Sequence, residues 1–266
     1  MVLKLLFQIM FSNREIPAIV LAGGRGTRMG KGLPKILRPL CGRPLIFWIL
    51  DTLKQCGLKN IIMVIGYKAK LTGKSVKDAG YKKTKFVKQD RLLGTAHAVG
   101  VGLSVVPETA EDTLVLFGDD SALYRPATLD NFIKYHQENH AKATVLTVIS
   151  DVPTSLGGLR KDDLGRIVGV VSKQEMQEKG INRHSILCGA LCFETKWIKE
   201  ILKKIPKNEV SGEYLLPGFM KIAAERGEFT QEFILPDARE WTSINSLEDL
   251  NIAEMLKLEF LNERSS

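Results

Sequence analysis

An apolar run, Ile16 to Leu21, opens directly into Ala22-Gly23-Gly24-Arg25-Gly26-Thr27-Arg28-Met29-Gly30-Lys31-Gly32. The run reads as a buried strand. The glycines after it let the backbone approach a ligand closely. Consecutive free N–H groups in such a loop make an anion-binding concavity. Arg28 and, after Pro34, Lys35 add two cations to the same segment. No other stretch restricts the fold as much. A strand that ends in a glycine loop belongs to an α/β alternation, and ligands gather at the carboxyl ends of its strands.

The rest of the chain keeps that alternation. Leu45, Ile46, Ile49, Leu50 and Leu53 recur at helical spacing behind Pro44, and Gly57 closes the helix. Ile61 to Ile65 is a strand, followed by a lysine-rich helix, a short strand at Phe86-Val87 and a helix over Thr95 to Val105. Leu114 to Phe117 is a strand, Thr128 to Asn139 a helix and Ala143 to Ile149 a strand. From about Asp151 to Phe193 short strands and turns predominate, which suggests a small lobe. Helices are expected over Lys196 to Lys204 and Glu213 to Arg226, with a strand at Phe229 to Leu235. A last helix, Leu247 to Leu261, has Ser246 as its cap and Asp249 in its first turn. The expected fold is α/β, a Rossmann-like, mostly parallel sheet flanked by helices with a small β-rich lobe.

The chain has 266 residues, 44% of them hydrophobic, enough for a substantial core. We read residues 16–266 as one domain and residues 1–15 as an N-terminal extension. Met1 to Phe11 is too short to span a bilayer and lacks a small-residue cleavage site, so neither insertion nor secretion is expected. Met10 is an alternative start. The formal charge of +8 suits an anionic partner. Lys68, Lys70, Lys74, Lys77, Lys82, Lys83, Lys85 and Lys88 crowd one stretch with few aromatics, which reads as a solvated face and not a nucleic-acid platform. Cys41, Cys56, Cys188 and Cys192 form no C-x-x-C pair. They read as core thiols in a reducing compartment, the cytoplasm, rather than a zinc site. Cys188 and Cys192 would share one face of a strand.

Two further motifs adjoin the first. Leu114-Val115-Leu116-Phe117-Gly118-Asp119-Asp120 places a carboxylate at a strand's carboxyl end, where Mg²⁺ can bridge it to substrate phosphates. An acidic turn after a strand is common on its own. Gln89 offers an amide to a base, and Gly94-Thr95-Ala96-His97-Ala98 can open a helix. His97 reads as an ordinary helix histidine, since phosphoryl transfer needs positioning more than a general base. The dinucleotide and Walker glycine patterns both fail in the first loop.

Together these segments resemble the sugar-phosphate nucleotidyltransferases, and among them the uridyltransferase (pyrophosphorylase) domain of the bacterial bifunctional N-acetylglucosamine-1-phosphate uridyltransferase. The resemblance runs from about Ile16 to about Leu250 and includes Gly212-Glu213-Tyr214 and Trp241-Thr242-Ser243-Ile244-Asn245. It implies that Leu21, Ala22 and Gly23 line the nucleotide. It implies that Gly24 also binds the nucleotide, that Gly26, Thr27 and Arg28 hold the leaving phosphates, that Lys35 stabilises the α-phosphate, and that Gln89, Gly94 and Thr95 read the uracil. Asp119 and Asn245 would ligate Mg²⁺, and Gly157 would contact the acceptor sugar. Two positions depart from the pattern. Ser172 stands where the family has a sugar-binding glutamate, with Glu175 the nearest carboxylate, and Leu187 stands where it has an asparagine. No six-residue repeat follows, so the family's β-helical acetyltransferase domain is not expected.

The resemblance implies transfer of a nucleotidyl group, UMP from UTP, to a sugar-1-phosphate with release of pyrophosphate. Its partners are a nucleoside triphosphate and a phosphorylated sugar, and a homo-oligomer stays open. Two other readings also stay open. One is cytidylyl or guanylyl transfer to a phospho-alcohol or cofactor precursor, because Gly24-x-x-x-Arg28-Met29-Gly30 resembles the loop of molybdopterin guanylyltransferases. The other is a catalytically silent nucleotide-sensing subunit, which need not keep Arg28, Lys35, Asp119 and Asn245 together.

Overall fold

The computed structural model describes residues 16–26, 29, 32–151 and 157–263. The extension expected at residues 1–15, together with Thr27 and Arg28, lies outside them. The first strand, β1, is Ala18–Ala22. After a short antiparallel pair, β2 (Pro39–Leu40) and β3 (Arg43–Pro44), helix α1 runs Leu45–Gln55. It buries Leu45, Ile46, Ile49, Leu50 and Leu53, the residues at helical spacing in the sequence. Each such side chain contributes roughly 1.5–3 kcal/mol of burial. Then come β4 (Ile61–Ile65), α2 (Ala69–Asp78), β5 (Lys85–Lys88), α3 (Thr95–Leu103), β6 (Asp112–Phe117), α4 (Pro126–Asn139) and β7 (Ala143–Ser150). The small lobe holds the antiparallel pair β8 (Gly158–Lys161) and β9 (Ile167–Val171), followed by α5 (Lys173–Glu178). The chain closes with β10 (His184–Glu194), α6 (Thr195–Ile201), α7 (Gly218–Glu225), β11 (Thr230–Ile234) and α8 (Leu247–Glu263).

Seven strands form the central sheet in the order β11-β7-β10-β6-β1-β4-β5. β10 runs antiparallel to both of its neighbours, and the remaining pairs are parallel. From β1 the chain first winds outward through β4 and β5, then crosses back to place β6 on the other side of β1. The winding direction therefore reverses between β1 and β6. Loops leaving two such strands diverge and open a crevice at their carboxyl ends.

Alternation along the strands separates two apolar layers. Ala18, Val20, Ala22, Leu114 and Leu116 pack with α1 and α4. Ile19, Ile62, Val64 and Val115 pack with α3, α6 and α7. Cys188 and Cys192 lie together in the first layer, sharing a strand face. A smaller cluster of Met29, Leu40, Leu45, Ala122, Leu123, Ile244, Ala253 and Phe260 seats α8 beside the loops at the crevice.

Two expectations need correction. The stretch from 151 to 193 is not wholly short strands, because β10 is a long strand inserted into the main sheet between β6 and β7. Its side chains are buried on both faces, so it lacks the period of two that marks a half-exposed strand. The helix expected from Glu213 begins only at Gly218. Tyr214 instead donates its N–H to the Leu93 carbonyl and accepts from Ala96 N–H, so that backbone is committed to the loop before α3. The lysines from Lys68 to Lys88 are all exposed, as a solvated face requires. No helix among the described residues is long and apolar enough to cross a membrane.

Candidate active site

The crevice between β1 and β6 is a cleft of about 590 Å³. The glycine loop forms one wall, with Leu21, Ala22, Gly23, Gly24 and Gly26 along it. Gln89, Gly94 and Thr95 line the end above β5 and α3, while Lys35, Asp119 and Asn245 line the opposite end. Residues distant in sequence thus meet at one opening. Thr27 and Arg28 belong to the same loop but fall outside the described residues.

Lys35 follows Pro34 in a single 3₁₀ turn, Lys35–Leu37, anchored by the buried Ile36 and Leu37. The loop packs closely on it. Gly26 has φ +60°, and a Cβ there would stand 2.7 Å from Lys35 Cβ. The Lys35 side chain is only 8% exposed, and its Nζ donates to Asp119 Oδ2 at 2.7 Å and to Asn245 Oδ1 at 3.2 Å. Asp120 Oδ1 lies 3.7 Å from the same nitrogen. Three oxygens from two distant segments therefore converge on one cation.

Asp119 and Asp120 follow β6 at Gly118, whose N–H bonds back to the Leu21 carbonyl. The two carboxyls differ. Burial, and then the adjacent Asp119 charge, pushes Asp120 up to about 7, against the opposing effects of Lys35 and the Ile244 N–H. Asp120 accepts that N–H at 3.3 Å and so ties the segment carrying Asn245 to the end of β6. Asn245 precedes α8. Ser246 Oγ accepts from Asp249 N at 3.1 Å, while Asp249 Oδ2 accepts from Ser246 N at 2.8 Å and Asn245 N at 2.7 Å. This reciprocal cap holds the Asn245 backbone.

At the other end, Gly94 has φ +106°, and a Cβ on it would fall 2.4 Å from the Tyr214 carbonyl oxygen. Only glycine lets the 213–216 segment dock there. Thr95 Oγ1 accepts from Leu216 N at 2.8 Å, which completes the contact. Gln89 is 5% exposed. Its Nε2 donates to the Gly94 carbonyl at 3.2 Å and lies 2.9 Å from His97 Nδ1.

The candidate acceptor residues do not line this cleft. Gly157, at φ +73°, packs against the Val171 carbonyl, and Ser172 caps α5 by accepting from Glu175 N at 3.1 Å. Glu175 is paired with Arg160 at 2.5 Å and Lys179 at 2.8 Å, and it lines a separate cleft in the small lobe. Leu187 is half-buried and packs against the α3–α6–α7 layer. The cleft also contains residues not singled out from the sequence, among them Arg25, Leu92, Phe117 and Glu213. Glu213 lies in the Gly212-Glu213-Tyr214 segment already noted, and Arg25 in the glycine loop. Leu92 and Phe117 carried no signal beyond ordinary apolarity.

The model of the MobA-like NTP transferase domain family matches residues 18–198. The chain belongs to this family. The chain is 34% identical over 246 residues to the bifunctional protein GlmU of Listeria innocua, covering 92% of this chain and 53% of that one. It is 31% identical over 254 residues to GlmU of Bacillus cereus, covering 96% and 54%. The chain spans about half the length of the curated relatives it matches. Among solved structures, a Bacillus anthracis chain assigned as a glucose-1-phosphate thymidylyltransferase, in complex with a sucrose, is similar. Its TM-score is 0.73 at 22% identity, over 91% of this chain and 94% of that one. HddC from Yersinia pseudotuberculosis, complexed with GMP-PN, gives 0.69 at 20% identity over 90% and 98%. These two likenesses are of fold. They match the mixed seven-stranded sheet with its flanking helices.

Proposed function

We propose that the protein transfers a nucleotidyl group, UMP from UTP, to a sugar-1-phosphate and releases pyrophosphate. The observation that carries this reading is the convergence of Asp119, Asn245 and Asp120 oxygens on Lys35 Nζ at the mouth of a glycine-walled cleft. Oxygens that gather round an ammonium suit a hard divalent cation equally well. Among the described residues no three His, Cys, Asp or Glu side chains are placed to hold a metal ion. A cation here would therefore depend on Asn245 and on substrate oxygens as well as Asp119. Asp119 and Asn245 would hold Mg²⁺, which supplies neutralisation of the triphosphate charge.

The protein's own groups do the rest. Gly23 lines the nucleotide, backbone N–H groups of the loop through Gly24 and Gly26 serve the phosphates, and Arg28 adds charge at the leaving pyrophosphate. Lys35, released from Asp119, meets the α-phosphate. The acceptor's phosphate oxygen bonds to the α-phosphorus as the bond to the β-phosphate oxygen breaks, and pyrophosphate departs with the electron pair. Leu21 and Ala22 support the nucleoside, and Gln89, Gly94 and Thr95 meet the base. A second reading, supported by the MobA-like family description, is cytidylyl or guanylyl transfer to a phospho-alcohol or cofactor precursor. Pyrophosphate release across a panel of triphosphates and of both kinds of acceptor separates the two. No release with any pair of substrates would leave the nucleotide-sensing reading.

A further inference from the structure

The polarity of the Gln89 amide is set by its neighbours. Gln89 stands just past β5, and its backbone N–H bonds to the Ile65 carbonyl at 2.8 Å, so its Cα is fixed by the sheet. The Gly94 carbonyl can only accept a hydrogen bond. The amide atom 3.2 Å from it must therefore be the nitrogen. That same nitrogen lies 2.9 Å from His97 Nδ1. With Nε2 donating, Nδ1 must accept, which makes the ring neutral with its proton on Nε2. Both amide N–H groups are then used inside the protein. The atom left for a ligand is Oε1, which lies along the cleft wall, 3.3 Å from where a Cβ on Gly23 would be.

We infer that His97 is a positioning residue for base selection, holding Gln89 so that its amide presents an acceptor and no donor to the cleft. The inference rests on the nucleotide reading of this cleft. A base whose central Watson–Crick ring nitrogen carries a hydrogen, as in uracil, thymine or guanine, satisfies Oε1. Cytosine and adenine bring a lone pair to that position and leave two acceptors facing each other. The selected substrate class is therefore a nucleoside triphosphate with an imide or lactam base. Without His97, Nε2 keeps only the Gly94 carbonyl, so one of the two hydrogen bonds that hold the amide's polarity is lost.

Two measurements test this on the full chain. The first is long-range ¹H–¹⁵N correlation of the wild-type histidines. His97 is expected in the tautomer protonated at Nε2, and protonation at Nδ1 overturns the assignment of the amide. The second is the ratio of UTP to CTP affinity by calorimetry with Mg²⁺ present, for wild type, His97→Phe and His97→Asn. Asparagine keeps an acceptor near the Nδ1 position, and phenylalanine keeps only the ring. The expected result is a wild-type preference for UTP that falls by about tenfold or more in His97→Phe, about 1.4 kcal/mol, and is largely retained in His97→Asn. An unchanged ratio in His97→Phe, an equal fall in both variants, or a wild type that prefers CTP would overturn the proposal. Pyrophosphate release by wild type is scored separately. A protein that binds UTP selectively but transfers nothing removes the transferase reading and leaves the His97 role standing. One that binds neither nucleotide removes both.

Discussion

The Lys35 ammonium pairs with Asp119, and only 8% of its side chain meets solvent. In the proposed transfer the same charge serves phosphate. Lys35→Ala should lower kcat by about 10²–10³, the scale of a lost transition-state donor, and Arg28→Ala should do the same. A variant with wild-type turnover would show that its residue is not at the reacting phosphate. Asp119→Asn replaces a hard anionic oxygen donor with an amide. It should remove most activity at every Mg²⁺ concentration, and full wild-type activity in excess chelator would refute the metal assignment. At the positions expected from the sequence to meet the acceptor, the polar groups are already engaged or missing. Ser172 caps α5, Glu175 holds Arg160 and Lys179, and Leu187 has no polar atom to offer. Each sugar hydroxyl left unpaired costs about 1–3 kcal/mol. N-acetylglucosamine-1-phosphate should therefore be a poor acceptor. With UTP fixed, a kcat/KM for it at least about tenfold above other sugar-1-phosphates, or 1.4 kcal/mol, would contradict this.

Helix ends and loop contacts set the site's precision. The Ser246–Asp249 cap opens α8 and fixes the backbone of Asn245 in one arrangement. Asp249→Ala should cost about 1 kcal/mol of stability, typical of a lost cap. It should also weaken nucleotide-dependent Mg²⁺ binding, because Asn245 loses its backbone anchor. Thermal unfolding and metal titration read the two effects separately. At the opposite end Gly94→Ala places a methyl within 2.4 Å of the Tyr214 carbonyl oxygen. At φ +106° and ψ 177° the backbone lies in a region open essentially to glycine, so alanine costs about 1–3 kcal/mol there, and the 213–216 segment must move away from Gln89 and Thr95. The variant should stay folded and show a raised KM for the triphosphate. An unchanged KM would mean that this segment does not shape the base end of the cleft.

The whole molecule is held by two apolar layers on either side of one sheet, and the site lies at the sheet's upper edge between them. Leu116 is fully buried on β6, in the layer formed with α1 and α4. Leu116→Ala should cost about 2–5 kcal/mol, close to 10 °C in Tm for a chain of this size. Because Asp119 lies past the end of the strand at Phe117, nucleotide affinity at low temperature should change little. A loss of affinity without a loss of Tm would show that the core and the crevice are coupled in some other way. Tyr124, fully buried beyond β6, donates to the Cys188 carbonyl and so ties the β6–α4 connection to β10. Both residues belong to the first layer, so the contact ties two of its elements together.

Local patterning was enough to reveal the parallel part of the sheet, α1 through β7 and the cap of α8. Buried strands between amphipathic helices announce themselves through short-range periodicity, and Ser246 with Asp249 is a local signal. The glycine loop, Gly118-Asp119 and Gln89 with Gly94-Thr95 were each legible because chemistry that needs close backbone approach demands particular residue types. What local pattern could not show was the pairing of distant segments. The insertion of β10 between β6 and β7 depends on which sheet edges remain open once the parallel strands have wound. The docking of Tyr214 on Gly94 replaces helical bonds with tertiary ones and delays α7 to Gly218. The engagement of Glu175 by Arg160 and Lys179, and the four-way meeting of Lys35, Asp119, Asp120 and Asn245, likewise exist only in three dimensions. Periodicity is a property of a few consecutive residues, whereas an ion pair or an orphaned sheet edge is satisfied by whatever the folded chain brings within reach.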